Sequence, residues 1–191
     1  MITGILLAAG AGKRFGGGKL QQVLPNGLAI CVASARNLAA AVDRVIAVVR
    51  PGDDVTLALL AAERNVEIVL CERAEDGMGH SLAAAVAASP VDTSWVIALG
   101  DMPLINPQII RSVAEAIEQG ASFAMPIHQG QRGHPVGIHS CFRADLLVLE
   151  GDAGARAIIT ANKSAVQLIE AEDPGVLIDV DTVADYQKLT R

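Results

Sequence analysis

Aromatic side chains are scarce in this 191-residue chain: one Trp, one Tyr and three Phe, 3% of the residues. A surface that stacks successive bases needs a row of such rings, so a nucleic-acid platform is not the expected role. Cationic side chains are also outnumbered, 15 Lys and Arg against 21 Asp and Glu, for a formal net charge of -6. A chain of that sign repels nucleic-acid phosphate and anionic membrane at long range. It binds an anion only where cations are locally gathered. Cysteine is limited to Cys31, Cys71 and Cys141. An odd count at wide spacing, with no C-x-x-C pair, supports neither a disulfide framework nor a thiolate zinc site. The three read as small apolar core residues. No apolar run reaches the ~18 residues of a membrane span. The apolar N-terminus has no basic leader and runs straight into Gly10, Gly12, Lys13 and Arg14. It reads as a buried strand, not a signal peptide, and the expected compartment is the cytoplasm.

What is present is apolar and aliphatic. Hydrophobic residues make up 51% of the chain and charged residues 19%, which specifies a folded protein with a core of Ala, Val, Leu and Ile. The length predicts one domain over residues 1–191. Continuous apolar runs predict strands at Ile2–Ala8, Asp43–Val49, Val66–Leu70 and Ser94–Leu99. Helical stretches between them predict parallel strands with right-handed crossovers. Past Gly120 the strands Ser122–Pro126, Pro135–His139, Val166–Ile169 and Val176–Asp179 break the alternation. The expected fold is therefore α/β and three-layered, with a mostly parallel central sheet that is mixed in its C-terminal part. In such sheets the site lies at the carboxyl ends of the strands. Three loops there carry unusual residues: 9–19, 77–81 and 100–103.

The first loop places Lys13, Arg14 and Lys19 among five glycines. Glycines let backbone N–H groups approach an anion, and clustered cations match a polyphosphate. A Walker A loop is not met, because Lys13 stands where its first Gly belongs and Leu20 where Ser or Thr belongs. The dinucleotide pattern G-x-G-x-x-G is missed by one residue at Gly16, and the second strand ends in Arg50, which suits a 2′-phosphate. An NADP-binding reductase therefore stays open. Asp101 follows the apolar strand Trp95–Leu99, where a carboxylate is costly unless paired or bound to metal. Asp179 and Asp181 alternate by two and share a face if extended. His128, His134 and His139 have no helical metal-ligand spacing, and Gly79-His80-Ser81-Leu82-Ala83 lacks the last glycine of a nucleophile elbow.

The run Leu7-Ala8-Ala9-Gly10-Ala11-Gly12-Lys13-Arg14-Phe15-Gly16-Gly17-Gly18-Lys19 resembles the signature loop of nucleotidyltransferases of the molybdenum cofactor type. The resemblance continues through Gly77-Met78-Gly79-His80-Ser81, Gly100-Asp101-Met102-Pro103, Arg132-Gly133-His134-Pro135-Val136, Gly151–Arg156 and Asp179–Thr182. The Leu-Ala-Ala-Gly opening and the Arg-Gly-His-Pro-Val stretch resemble the cytidylyltransferase branch. The resemblance implies a Rossmann-like nucleotidyltransferase fold and transfer of CMP from CTP to a molybdopterin-type cofactor phosphate, with release of pyrophosphate. It implies nucleotide binding by Ala8, Ala9, Gly10, Ala11, Gly12, Arg14, Lys19, Gly77, Met78, Gly79, Ser81 and Asp101. Arg14, Lys19 and Asp101 would be catalytic. Mg²⁺ would be held by Asp101 and Asp179, with Asp181 the alternative. His134, Pro135, Asp152 and Arg156 would face the acceptor. A molybdoenzyme receiving the product would be a transient partner, while nucleic acid and membrane would not. Guanylyl or other nucleotidyl transfer to a small phosphate, and a non-catalytic cofactor escort, remain alternatives.

Overall fold

The computed structural model describes residues 1–152 and 154–190; Ala153, within the Gly151–Arg156 motif, lies outside them. Strand β1 (Ile2–Leu7) sits inside the sheet and pairs in parallel with β2 (Arg44–Val49) and β4 (Ser94–Leu99). β2 pairs in parallel with β3 (Val66–Leu70). Beyond β4 the direction reverses. β7 (Val136–Ile138) runs antiparallel to β4 and to β5 (Phe123–His128). β5 also turns back onto the two-residue β6 (Gln131–Arg132) and accepts β8 (Val166–Glu170) in parallel. The mostly parallel sheet with a mixed C-terminal part is thus observed.

Both faces of the sheet are covered, which is why its inner strands lack polar alternation. Helices α1 (Ile30–Ala39) and α4 (Pro107–Glu118) bury Leu38, Ile110, Val113 and Ile117 with Leu6, Ala47 and Val96. Helix α3 (Met78–Ala88) buries Leu82, Ala85 and Val86 with Ile5, Ile46, Trp95 and Ile97 on the other face. Gly4 is needed where α1 lies closest: a Cβ there would stand 2.8 Å from Leu38 Cγ. Helix α2 (Asp54–Ala61) is capped by Asp53, whose carboxylate accepts from Thr56 N at 3.2 Å, and α4 by Asn106 ahead of Pro107. The shorter α5 (Arg143–Leu147), α6 (Arg156–Ala161) and α7 (Val183–Leu189) complete the helices, α7 with a Thr182–Asp185 capping box. Among the described residues no helix is long and apolar enough to cross a membrane.

Two local expectations are corrected. No strand forms at Val176–Asp179: residues 174–177 make a 3₁₀ turn, set by Pro174 and the Asp173 carboxylate on Gly175 N. Cys141 is exposed, whereas Cys31 and Cys71 are buried. Helix α3 starts at Met78, directly after Gly77 at φ 130°. β5 and β6 are joined by a turn through Gln129 and Gly130, both with positive φ.

Candidate active site

The parallel register aligns Leu7 with Leu99, so the chain leaves β1 and β4 side by side. Gly100 N donates to Leu7 O at 2.9 Å, and a Cβ on Gly100 would lie 3.2 Å from Ala8 Cβ. The loop after β1 thus starts against the loop that carries Asp101. From there Phe15 N and Gly17 N both donate to Gly12 O, closing a tight turn. Gly16, Gly17 and Gly18 all have positive φ, a conformation costly for residues with a Cβ. They lead into a 3₁₀ turn at Lys19–Gln21 that returns Lys19 toward the strand ends.

Lys19 is where the site converges. Its Nζ donates to Asp101 Oδ2 at 2.6 Å and to Asp181 Oδ1 at 3.2 Å. Arg14 Nη1 lies 2.7 Å from Asp181 Oδ2. Val180 N donates to Asp101 O at 3.0 Å, which brings Asp181 to Lys19, although neither Asp179 nor Asp181 lines the cleft itself. Burial disfavours the Lys19 charge, but the hydrogen bonds and fields of Asp101 and Asp181 outweigh it and hold the ammonium above its ordinary range. Asp179 is pushed up, first by partial burial, then by the carboxylates of Asp181 and Asp101.

The opposite wall is a clasp between two loops. Gly79 N donates to Gly151 O at 2.7 Å, supplying the cap that α3 lacks from any side chain. A Cβ on Gly77 would stand 2.2 Å from the Gly151 carbonyl carbon, so only glycine permits this approach. Between the walls lies a cleft of about 470 Å³, lined by Ala9, Gly10, Ala11, Gly12, Arg14 and Lys19 on one side. Gly77, Met78, Ser81 and Asp152 line the other, with Asp101 at the floor.

Residues 4–166 match the model of the MobA-like NTP transferase domain. The chain belongs to that nucleotidyltransferase family. Purine catabolism protein PucB of Bacillus subtilis is 28% identical over 200 residues, covering 100% of this chain and 96% of that protein. Nicotine blue oxidoreductase of Paenarthrobacter nicotinovorans is 29% identical over 196 residues, covering 98% and 96%. Rv0371c of Mycobacterium tuberculosis superposes with a TM-score of 0.87 at 25% identity, covering 99% of this chain and 96% of that one. A second structure of Rv0371c, a complex with manganese, superposes with a TM-score of 0.79 at 23% identity, covering 99% and 97%.

In this MobA-like chain the site residues expected from sequence divide into those in the cleft and those behind it. Ala8 and Gly79 are buried just behind the lining. Pro135 is buried beside β7, and Arg156 is exposed at the start of α6. His134 donates its backbone N–H to Val176 O at 2.9 Å, and its Nδ1 is shut from solvent without a partner. Burial pulls its imidazole below the ordinary value, against the nearby Asp101 carboxylate and the Ile97 carbonyl. Lys13 and Glu75 also line the cleft. The loop's composition pointed to Lys13, whereas nothing in the sequence singled out Glu75. His128 Nδ1 is engaged with Ala171 O at 2.7 Å, and His139 Nδ1 accepts from Cys141 N at 3.3 Å, so neither faces the cleft chemistry.

Asp101 Oδ1 is buried without a hydrogen-bond partner. Three carboxylates, Asp101, Asp179 and Asp181, lie within each other's field against two cations, Arg14 and Lys19. An orphaned acidic oxygen with excess negative charge around it fits a hard divalent cation, which takes oxygen ligands. Among the described residues, however, no three His, Cys, Asp or Glu side chains are gathered around one metal-sized point. The carboxylates close on Lys19 instead.

Proposed function

We infer that the chain acts as one nucleotidyltransferase domain over residues 1–191, in the cytoplasm, where its free thiols are stable. It transfers CMP from CTP to the phosphate of a molybdopterin-type cofactor, with release of pyrophosphate. The observation that carries this reading is the convergence of the glycine loop's Lys19 on Asp101 in a cleft at the ends of β1 and β4. The family assignment supports NTP as one substrate, and the Leu7–Lys19 loop supports CTP and the pterin acceptor.

An acceptor phosphate oxygen attacks the α-phosphorus while the bond to the bridging oxygen breaks, and that electron pair leaves with pyrophosphate. The acceptor phosphate is already ionised, so no general base is required. Positioning and charge stabilisation then carry the catalysis. Backbone N–H groups of 9–12 hold the phosphates, and Arg14 and Lys19 neutralise their oxygens. Gly77, Met78 and Ser81 border the base and ribose. Asp101 with Asp179, or Asp181 in its place, would hold Mg²⁺. When bound, such a dication offsets charge on the nonbridging oxygens and on the leaving group. Asp152 stands across the cleft toward the acceptor, with His134 behind Asp101. A target molybdoenzyme would receive the product.

A pyrophosphate-release assay with CTP, GTP, ATP or UTP, Mg²⁺ and molybdopterin tests the reading. Release with CTP above the others supports it, and release with GTP alone moves the assignment to guanylyl transfer. A second reading, an NADP-dependent reductase, draws on the 29% identity with a protein named an oxidoreductase and on Arg50 at the end of β2. NADPH alone would then raise the melting temperature. A ligand at 100 times its Kd adds about 2.7 kcal/mol, or roughly 5–10 °C for a domain of this size.

A further inference from the structure

Lys19 is asked to do two things that exclude each other. Its place in the cationic loop suits a nucleotide phosphate. Yet its Nζ is held by Asp101 Oδ2 at 2.6 Å and Asp181 Oδ1 at 3.2 Å, and its side chain is only 11% exposed. Asp101 is the residue assigned to the divalent cation, and Asp181 is the alternative to Asp179 as its second ligand. A hard dication such as Mg²⁺ needs carboxylate oxygens at about 2.0–2.1 Å, and an ammonium between the same groups blocks that approach by size and by charge.

We propose that the Lys19 ammonium holds the divalent-cation position between Asp101 and Asp181 in the metal-free protein, and that metal binding displaces it toward the nucleotide phosphates. The proposal rests on the reading of Asp101 as a metal ligand, with Asp181, the alternative to Asp179, as the second. Four observations carry it. The carboxylates are arranged around Nζ and around no common metal point among the described residues. The buried Asp101 Oδ1 has no partner, so one oxygen of that carboxylate is uncommitted while Oδ2 holds Lys19. Arg14 Nη1 lies 2.7 Å from the other oxygen of Asp181, so that carboxylate has a second cationic partner besides Lys19. Finally, Gly16 and Gly17 precede Lys19 at φ 90° and 96° with nothing within 4 Å of a Cβ on either. Space around those two residues is open, while Gly17 N stays bonded to Gly12 O.

The exchange couples two steps that the reaction needs together. Without metal, three carboxylates and two cations satisfy one another as far as charge allows, and Lys19 is withheld from the nucleotide. With metal bound, the same carboxylates are neutralised from within and Lys19 becomes available. Masking also lowers the apparent metal affinity by the fraction of time the site is free of Lys19.

The test is residue-resolved acylation of lysine amines by mass spectrometry, with and without Mn²⁺, on the full chain. Exposed Lys163 and Lys188 serve as internal references. Mn²⁺ binding is read in the same samples by electron paramagnetic resonance, counting only binding lost in Asp101→Ala. The expected result is that Mn²⁺ binds and Lys19 labelling rises about fivefold or more relative to the references, as a masked minor state becomes the major one. If Mn²⁺ binds and Lys19 labelling stays level or falls, the exchange is overturned while the metal reading stands. If no Asp101-dependent binding occurs, the metal reading fails and the exchange with it. Lys19→Met provides a second measurement: its Mn²⁺ affinity should rise roughly tenfold, and an unchanged or weaker affinity also counts against the exchange.

Discussion

Val180 donates its backbone N–H to the carbonyl of Asp101 at 3.0 Å. That single bond fixes the late segment beside the β4 loop, with Asp179 and Asp181 flanking the donor residue. The Asp101 loop is held from the other side as well. Ser34 Oγ donates to Gly100 O at 3.1 Å, and Asn37 Nδ2 to Pro103 O at 2.9 Å. Helix α1 therefore braces the backbone that presents Asp101, and the carboxylate itself meets Lys19.

Asp101→Asn should separate chemistry from folding. The amide keeps the size of the side chain but loses the charge that Lys19 and a dication require. Metal-dependent pyrophosphate release should fall at least about 100-fold. The melting temperature should move by no more than about 3 °C, because Lys19 keeps Asp181 and the backbone braces are untouched. Turnover within a few-fold of wild type would remove Asp101 from the site.

Asp179 makes a prediction about pH. Its carboxyl is raised above the ordinary 3.8 by burial and then by the Asp181 and Asp101 carboxylates. A raised acid favours the protonated folded form. Its favourable contribution is therefore complete below the unfolded value and is lost as pH rises through the higher folded value. Asp179→Asn removes a charge that the folded, metal-free protein disfavours. The variant should melt above wild type at pH 7, and the difference should shrink to nothing as pH falls below 3.8. Thermal melts across pH 3–7 in a chelator check this (range chosen to bracket an ordinary carboxylate). A variant less stable at pH 7 would refute the charge argument.

The fold was legible because its signals are local and strong. Continuous runs such as Ile2–Ala8 and Ser94–Leu99 identify strands covered on both faces, and the strands lie at Ile2–Leu7 and Ser94–Leu99. The Gly loop and Asp101 were legible because cations and a carboxylate at apolar strand ends are conspicuous. What was not legible depends on distant backbone. The partner of Lys19 among the late aspartates is set by Val180 on Asp101, and periodicity allows either Asp179 or Asp181. In the same way, the resemblance implies Gly77 and Gly79 as nucleotide contacts, and the structure adds that a Cβ on either would meet the Glu150–Asp152 backbone. No pattern near residue 77 announces that neighbour.

Trp95 is the chain's one indole and is fully buried, with Nε1 donating to Ser89 Oγ at 3.0 Å. The same hydroxyl accepts from Arg143 Nη1 at 3.3 Å, and Arg143 lies 5.8 Å from the Trp95 ring centroid. Ser89→Ala leaves the indole N–H without its partner in a dry site. The loss should be about 1–3 kcal/mol in denaturant melts followed by Trp95 fluorescence. Nucleotide affinity should be unaffected, since α3 keeps its position at the cleft end. A neutral effect on stability would mean that the indole finds another acceptor.

Gly77→Ala tests the clasp against the strain it shares with other positive-φ glycines. Gly17 at φ 96° has nothing within 4 Å of a built Cβ, so Gly17→Ala carries backbone strain alone, about 1–2 kcal/mol. At Gly77 the added methyl would also meet the Gly151 carbonyl carbon at 2.2 Å and Asp152 N at 2.6 Å. Backbone cannot rotate aside as a side chain does, so the 150–152 segment must lift. The Gly79 amide then loses its 2.7 Å acceptor, Gly151 O. Hydrogen exchange at Gly79 should accelerate in Gly77→Ala and not in Gly17→Ala, with helical content kept in both. Lifting the segment also withdraws Asp152 from the cleft wall. Nucleotide affinity should therefore fall about tenfold or more, in keeping with the cost of ångström-scale misplacement. Equal exchange at Gly79 in the two variants would show that Gly77 is held for its φ alone, with the Gly151 contact incidental.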